Sequence, residues 1–192
     1  MDYQTSDIAK AVEVMRRGGV ILYPTDTVWG LGCDACRSEA VQRIFRIKGR
    51  ADGKALISLL ASSKDLDRYV GDIPDVAYDL VDLATTPVTV VFDKALIPPL
   101  APELVAPDGS IGIRITHEHI SASLCRMLRR PVVSTSANRS GQPTPATFAQ
   151  ISPEIIEAVD YVMTSRRDDN TPHHPSSVIK LGCDGTVKIL RP

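Results

Sequence analysis

The chain has 192 residues, of which 43% are hydrophobic and 23% charged, and its formal net charge is −1 at pH 7. This length suits one domain over residues 1–192, with a core that buries roughly 70% of the unfolded surface. The charge excludes binding to nucleic acid through bulk positive charge, although a local basic patch stays open. No stretch approaches the roughly 18 apolar residues of a membrane span, and the N-terminus lacks signal-peptide features, so we expect a cytoplasmic protein without membrane contact. Four cysteines provide no disulfide framework.

Helical and strand-like patterns alternate along the chain, which argues for an α/β or α+β layer fold. Helices are predicted over residues 7–17, from 38 onward, 63–69, 76–83, 119–129 and 153–159. Strands are predicted over residues 19–23, 56–61, 88–92, 111–115, 132–135, 160–164, 177–181 and 187–191. Ser6 is expected to cap the first helix and Gly18 to end it, and Met127 is expected to face the core. The stretches 98–107 and 166–175 are predicted loops.

A turn rich in small polar residues follows the first predicted strand. It contains Thr25, Asp26 and Thr27, with Gly30 and Gly32 after them. Such a turn exposes hydroxyls and backbone N–H groups at a strand end, where α/β sheets bind ligands. The alternative is an ordinary turn in which Asp26 bonds to its own backbone.

Two cations lie at the end of the second predicted helix, Lys48 on an otherwise apolar face and Arg50 just beyond it. One interpretation is that they complement the helix dipole and are solvated. The other is a phosphate clamp, because arginine offers a planar fork of donors and lysine a point charge, which together suit a triphosphate.

Strand alternation over residues 110–115 places three isoleucines on one face and Ser110, Gly112 and Arg114 on the other. A face made of a hydroxyl, bare backbone and a guanidinium resembles the floor of an anion pocket. A solvated outer face is the alternative.

A serine-rich string follows the strand predicted over residues 132–135. If the strand continues, Ser134 and Ser136 point the same way, and Asn138 lies just beyond them. Small hydroxyl and amide side chains suit hydrogen bonds to a nucleotide and its phosphates, although a common serine-rich turn is the alternative.

Other motifs indicate no further chemistry. Cys33 and Cys36 have C-x-x-C spacing but no second pair, so we expect no metal site built by the protein. The pairs His117/His119 and His173/His174 are expected to be solvated. The usual nucleotide-binding loops and a nucleophile elbow are absent from the sequence.

In their order and spacing, these segments resemble the YrdC-like family of L-threonylcarbamoyladenylate synthases, in its short bacterial form. The resemblance spans about residues 8–191 and includes the family's Lys-x-Arg and Ser-x-Asn signature, here Lys48, Arg50, Ser136 and Asn138. It implies a single α/β domain of the YrdC-like, or DHBP-synthase-like, fold. In that fold a twisted mixed sheet flanked by helices holds a large concave cavity.

The resemblance also implies a reaction. L-threonine, bicarbonate and ATP would combine into threonylcarbamoyl-AMP with release of pyrophosphate, and we expect Mg²⁺ to bridge the phosphates. A partner transferase complex would then pass the threonylcarbamoyl group to tRNA, so that contact with tRNA would be indirect.

Site residues follow from the same resemblance. The implied catalytic residues are Lys48, Arg50, Ser136 and Asn138. The implied ATP-binding residues are these four together with Ser110, Thr144 and Arg191. The implied threonine-binding residues are Thr25, Arg114, Ser134 and Ser176, with Ser177 beside the last. Arg114 would pair with the threonine carboxylate, and Asp26 is a candidate to reach Mg²⁺ through water.

The sequence departs from the family pattern at several positions. Ala51 replaces a proline, Leu59 a frequent histidine, and Pro192 a glycine, while residues 84–86 replace Trp-Pro-Gly and the stretch 166–175 is unlike the family's. Two other functions stay open. One is a non-catalytic module that binds RNA in the same cavity. The other is the carbamoyl-adenylate chemistry of hydrogenase-maturation proteins, which are much longer chains.

Overall fold

A computed structural model describes residues 3–49, 56–169, 171 and 175–192. The helices are α1 (Tyr3–Arg16), α2 (Ser38–Lys48), α3 (Val76–Asp82), α4 (His119–Leu128) and α5 (Pro153–Ala158). Short 3-10 helices cover Ser63–Arg68, Pro102–Leu104 and Phe148–Gln150. The strands are β1 (Ile21–Tyr23), β2 (Gly30–Asp34), β3 (Ile57–Leu60), β4 (Val88–Phe92), β5 (Ile111–Ile115), β6 (Val132–Ser136), β7 (Tyr161–Val162), β8 (Ser177–Leu181) and β9 (Val187–Arg191).

The nine strands form one open sheet in the order β7-β1-β2-β6-β3-β5-β4-β8-β9. Parallel pairs are β1/β7, β3/β5 and β4/β8, and the other neighbours are antiparallel. This confirms the predicted α/β class with a mixed sheet. Within the described residues, no helix combines the length and apolar character needed to cross a bilayer.

Helices pack on both faces of the sheet because the strands alternate apolar side chains between them. Leu22 belongs to the larger core that includes α2 and α3, whereas Tyr23 packs with α1 and α4. Leu59 of β3 also packs with α1 and α4, and Arg114 of β5 lies opposite it in the parallel register. Arg114 therefore lies on the α1/α4 face of the sheet.

The predicted turn is present around residues 25–28, but its glycine end was predicted wrongly, because Gly30 and Gly32 belong to strand β2. Glycines are uncommon inside strands, but here the ring of Tyr23 crosses the two of them. A Cβ at Gly32 would come 2.7 Å from Tyr23 Cε1, and one at Gly30 would come 3.3 Å from the same atom. The glycines of β2 thus make room for an aromatic ring rather than form a turn.

We expect Gly32→Ala to lower the free energy of unfolding by about 1–3 kcal/mol, because the added methyl overpacks a buried ring. Gly112→Ala in β5 is the control, since its Cβ would come no closer than 3.3 Å to a neighbour, Ile57 Cγ2, with Thr89 Cγ2 next at 3.7 Å. Urea titration of both variants measures the difference. A Gly32→Ala variant as stable as wild type would show that Tyr23 does not confine this strand.

Two finer predictions were also wrong. α1 begins at Tyr3, so Ser6 lies inside the helix and does not cap it. Met127 is 39% exposed, because the buried stripe of α4 follows Ser121, Cys125 and Leu128 and leaves Met127 at its flank. Gly18, with φ of +86°, ends the first helix as predicted.

Asp7 ties α1 to the chain after β7. Its carboxylate accepts hydrogen bonds from the Ser165 backbone N–H and hydroxyl at 2.8 and 2.6 Å, and from the Tyr161 hydroxyl at 2.6 Å. Burial raises the pKa of Asp7, but these hydrogen bonds, with that from the Thr164 N–H, outweigh it and hold the pKa below 3.8. The ionised form is therefore the one that stabilises the fold.

Because the folded-state pKa of Asp7 is depressed, its contribution is present above the unfolded pKa and is lost as pH falls through the folded value. We expect Asp7→Asn to lower the free energy of unfolding at pH 7 by about 1–3 kcal/mol. The difference in free energy of unfolding between wild type and Asp7→Asn should become smaller below about pH 4. Urea titrations at pH 7 and pH 3 test this, with exposed Asp79→Asn as control. An equal gap at both pH values would contradict it.

Candidate active site

A cavity of about 180 Å³ opens where β2 and β3 begin and β6 ends. Six residues that the family resemblance implicates line it: Arg114, Ser134, Ser136, Thr144, Ser176 and Arg191. These residues come from β5, β6, the loop after β6, the segment before β8, and β9. The sheet therefore brings together side chains that are distant in the sequence: Arg114 and Arg191 are 77 residues apart.

Arg114 is the buried charge of the site, with 2% of its surface exposed. Its Nη2 lies 3.2 Å from Asp26 Oδ1 without the alignment of a hydrogen bond, and its Nη1 makes a long contact of 3.5 Å with Thr27 Oγ1. Its Nε has no hydrogen-bond partner among the described residues. A buried guanidinium with unused donors is suited to bind a carboxylate.

The turn after β1 supports the cavity through its own hydrogen bonds. The Thr25 hydroxyl donates to the Val28 carbonyl at 2.7 Å, accepts from the Thr27 N–H at 3.0 Å, and lies 3.0 Å from the Thr27 hydroxyl. Arg166 donates to the Thr25 carbonyl at 3.0 Å from the loop after β7. Thr27 and Val28 line the cavity, while the Thr25 hydroxyl is engaged within the turn.

Lys48 lies at the end of the buried stripe of α2 and is 3% exposed. Its ammonium donates to the backbone carbonyls of Ser136 at 2.6 Å and Asn138 at 2.7 Å. In return, the Ser140 N–H donates to the Lys48 carbonyl at 2.8 Å. The structure therefore joins Lys48 with the Ser-x-Asn segment. Arg50 lies outside the described residues.

Side-chain bonds hold the Ser-x-Asn segment in shape. The Ser136 hydroxyl donates to Asn138 Oδ1 at 2.5 Å, and Asn138 Nδ2 donates to the carbonyls of Gln142 at 2.7 Å and Arg139 at 3.1 Å. Asn138 thus closes the loop that follows β6, while Ser136 faces the cavity. These bonds within the chain fix the shape of the segment.

The far wall consists of residues near the C-terminus. The Ser176 hydroxyl lies 2.9 Å from that of Thr89, and Arg191 donates from Nε and Nη2 to the Ser176 carbonyl at 3.0 and 2.7 Å. Ser110 does not line this cavity, because its hydroxyl donates to Asp108 at 2.6 Å at the start of β5. That hydrogen bond, with others, lowers the pKa of Asp108 to about 2.

Sequence reasoning missed several lining residues. Thr27 stands in the polar turn, where its hydroxyl could have been chosen instead of that of Thr25. Gly30 and Ile57 reach the cavity because β2 and β3 flank β6, an arrangement that no local pattern reveals.

Behind the cavity, burial raises the pKa of the Tyr23 phenol, which is neutral at physiological pH.

The described residues contain no group of three or more His, Cys, Asp or Glu side chains placed to hold a metal ion. Asp26 is the carboxylate next to Arg114, and its Oδ1 is buried without a hydrogen-bond partner among the described residues. The arrangement can bind anionic groups with guanidinium, hydroxyl and backbone donors, and it has one carboxylate at the edge of that set.

Comparison with known proteins finds a matching family model and similar curated proteins. The family model for Sua5, YciO and YrdC, described as "Telomere recombination", matches residues 13–192. The threonylcarbamoyl-AMP synthase of Pseudoalteromonas translucida is 35% identical over 185 residues, which are 95% of this chain and 96% of that protein.

Two solved structures share the fold. P. abyssi Sua5 complexed with L-threonine matches with a TM-score of 0.85 and 25% identity, over all of this chain and 55% of that one. This chain thus spans about half the length of Sua5. E. coli YciO matches with a TM-score of 0.83 and 28% identity, over all of this chain and 90% of that one.

Proposed function

The chain belongs to the Sua5/YciO/YrdC family, and from this membership we propose that it is a threonylcarbamoyl-AMP synthase. The enzyme would make threonylcarbamoyl-AMP and pyrophosphate from L-threonine, bicarbonate and ATP. A transferase that modifies tRNA would consume the product. The matched synthase covers nearly the whole chain, which supports an enzyme rather than a non-catalytic RNA-binding module.

The observation that carries the proposal is the buried guanidinium of Arg114, which lines a polar cavity and whose Nε has no hydrogen-bond partner within the described part of the chain. Leaving a buried donor unsatisfied costs free energy, so such a group indicates a ligand that completes it. The threonine carboxylate has the charge and planar geometry to do so. The hydroxyls of Thr27 and Ser134, on the same cavity, would hold the rest of the amino acid.

The other end of the cavity would take ATP. Ser136, Thr144 and Arg191 line it and offer two hydroxyls and a guanidinium. Lys48 and Asn138 would shape this end by fixing the backbone on which Ser136 stands. Arg50 and Ser110 stay predicted nucleotide contacts.

Magnesium fits this site as a companion of the nucleotide. Mg²⁺ is commonly held by substrate phosphates with one or two carboxylates and several waters. Asp26 lies beside this cavity, next to Arg114, rather than in its lining, so that it would reach the ion through water. When bound, Mg²⁺ would neutralise charge on the phosphates.

The chemistry requires placement more than acid–base catalysis. The threonine amine attacks bicarbonate, and loss of water leaves a carbamate. A carbamate oxygen then attacks the α-phosphorus of ATP, forming the mixed anhydride as the bond to pyrophosphate breaks. Holding the reactants in line can supply several kcal/mol of the barrier. Fixed donors such as the Arg191 guanidinium would stabilise charge that develops on the phosphates.

Mass spectrometry of the protein with ATP, Mg²⁺, bicarbonate and L-threonine tests the proposal. We expect the mixed anhydride of threonylcarbamate and AMP, with pyrophosphate released in equal amount. L-serine in place of threonine is the control for side-chain selectivity. Binding of RNA that falls steeply with salt, with no ATP-dependent consumption of threonine, would instead indicate the RNA-binding module.

A further inference from the structure

A second cavity, of about 330 Å³, lies at the opposite end of β3 from the candidate active site. Ile57 at the start of β3 lines the active-site cavity, whereas Leu60 at its end lines the second one. The two residues are about 10 Å apart along the strand. Guanidinium groups from two segments surround the second cavity: Arg68, Arg126, Arg129 and Arg130. We call it the arginine cavity.

Two of these arginines have carboxylate partners and two do not. Arg130 lies 3.0 Å from Asp34, and Arg68 lies 3.5 Å from Asp65. Among the described residues, no carboxylate lies within 4.0 Å of Arg126 or Arg129. The arginine cavity therefore holds about two uncompensated positive charges.

The floor of the arginine cavity is apolar and uncharged. Leu60, Ala61, Tyr69 and Cys125 contribute to it. Burial raises the pKa of the Cys125 thiol to about 12, so that this group is neutral, and it donates to the Leu59 carbonyl at 3.4 Å. Asp65 also lines the cavity, where it pairs with Arg68, and a ligand with an apolar body would fit against the apolar floor.

Helix-dipole complementarity does not account for the whole arrangement. Arg126 lies in the last turn of α4 and Arg129 follows it, where cations are favourable. Arg68, however, comes from the 3-10 helix after β3 and lies over the Tyr69 ring, 5.5 Å from its centroid. Complementing a helix end requires no hollow and no contribution from a distant segment, yet both are present. Charges around a concave surface focus the potential inside it.

We propose that the arginine cavity binds a phosphate monoester with a small apolar body, at a site separate from the active site. A phosphate monoester carries a charge of about −1.5 to −2 at pH 7, which matches the two arginines without carboxylate partners. Arginine forks fit phosphate oxygens in pairs. A hollow of a few hundred Å³ suits a small molecule. An RNA backbone would instead be expected to follow an extended basic groove.

Calorimetric titration with phenyl phosphate tests the proposal, because this probe joins a dianionic head to an apolar ring. The test variant is Arg126→Ala/Arg129→Ala. Both side chains are exposed and lack ion pairs among the described residues, so the fold should persist. The control Lys10→Ala/Lys188→Ala removes the same charge from exposed positions on α1 and β9.

We expect wild type and control to bind phenyl phosphate equally, and the test variant to bind it at least about tenfold more weakly. Chemical shifts of the Tyr69 and Cys125 amides should move with the probe in wild type and in the control, but not in the test variant. Synthase turnover of the test variant should stay within about twofold of wild type, which separates this site from the proposed function. Equal affinity in all three proteins would overturn the proposal. The proposal would also be overturned if the test variant bound a duplex RNA probe more weakly than wild type but bound phenyl phosphate equally well.

Discussion

Replacing Lys48 with alanine is expected to reduce synthase turnover at least about 100-fold and to destabilise the protein at the same time. The buried ammonium donates to the carbonyls of Ser136 and Asn138, two half-buried residues, and its removal leaves both acceptors without this donor. Each unsatisfied buried group costs about 1–3 kcal/mol, so the free energy of unfolding should fall by about 2 kcal/mol or more. The Ser-x-Asn segment would lose the anchor that places Ser136 in the cavity.

Steady-state rates of pyrophosphate release and urea titrations measure the two effects together. Exposed Lys10→Ala is the control for loss of one lysine charge. If Lys48 acted only on the triphosphate, the KM for ATP would rise while stability stayed unchanged. If it acted through the loop, both would change. Undiminished turnover in Lys48→Ala would contradict both roles.

Replacing Arg114 with alanine is expected to raise the KM for threonine by about 100- to 1000-fold, with the KM for ATP changed only a few fold. Breaking a buried charge pair costs about 3–5 kcal/mol, and each 1.4 kcal/mol corresponds to about a factor of ten. Arg114→Lys should recover little, because an ammonium lacks the planar fork. Initial rates over a threonine series at saturating ATP measure the effect.

Two controls make the Arg114 result specific. Millimolar guanidinium ion should partly restore threonine use by Arg114→Ala, since the variant has a guanidinium-sized space beside Asp26 and Thr27. The same addition should do nothing for Arg17→Ala, whose exposed side chain pairs with Glu13 on α1. Equal changes in the KM values for ATP and threonine would place Arg114 outside the amino-acid end of the cavity.

Periodicity predicted most of the sheet because the strands concerned are locally consistent. β4, β5, β8 and β9 have the predicted bounds, since β-branched and alternating residues mark them without ambiguity. β2 was not predicted, because its glycines are required by the ring of Tyr23 on the neighbouring strand. No local sequence pattern reveals that contact.

The candidate site, like the sheet, could be predicted only in part from the sequence. Arg114 could be placed on a polar strand face from alternation alone, and the structure shows that face to be buried rather than solvated. Which threonine of the polar turn faces the cavity could not be predicted. Thr25 and Thr27 differ only in the hydrogen bonds that the folded turn assigns to them.

The closeness of Asp26 to Arg114 has a consequence for which molecules are accepted. Arg114 is 2% exposed, and the Asp26 carboxylate 3.2 Å from it is poorly aligned for a hydrogen bond. An amino alcohol derived from threonine has no carboxylate to pair with the guanidinium. An amino acid has one, and it would replace the weak contact between Arg114 and Asp26 with a bidentate pair. Recognition of the α-carboxylate would thus precede any test of the side chain.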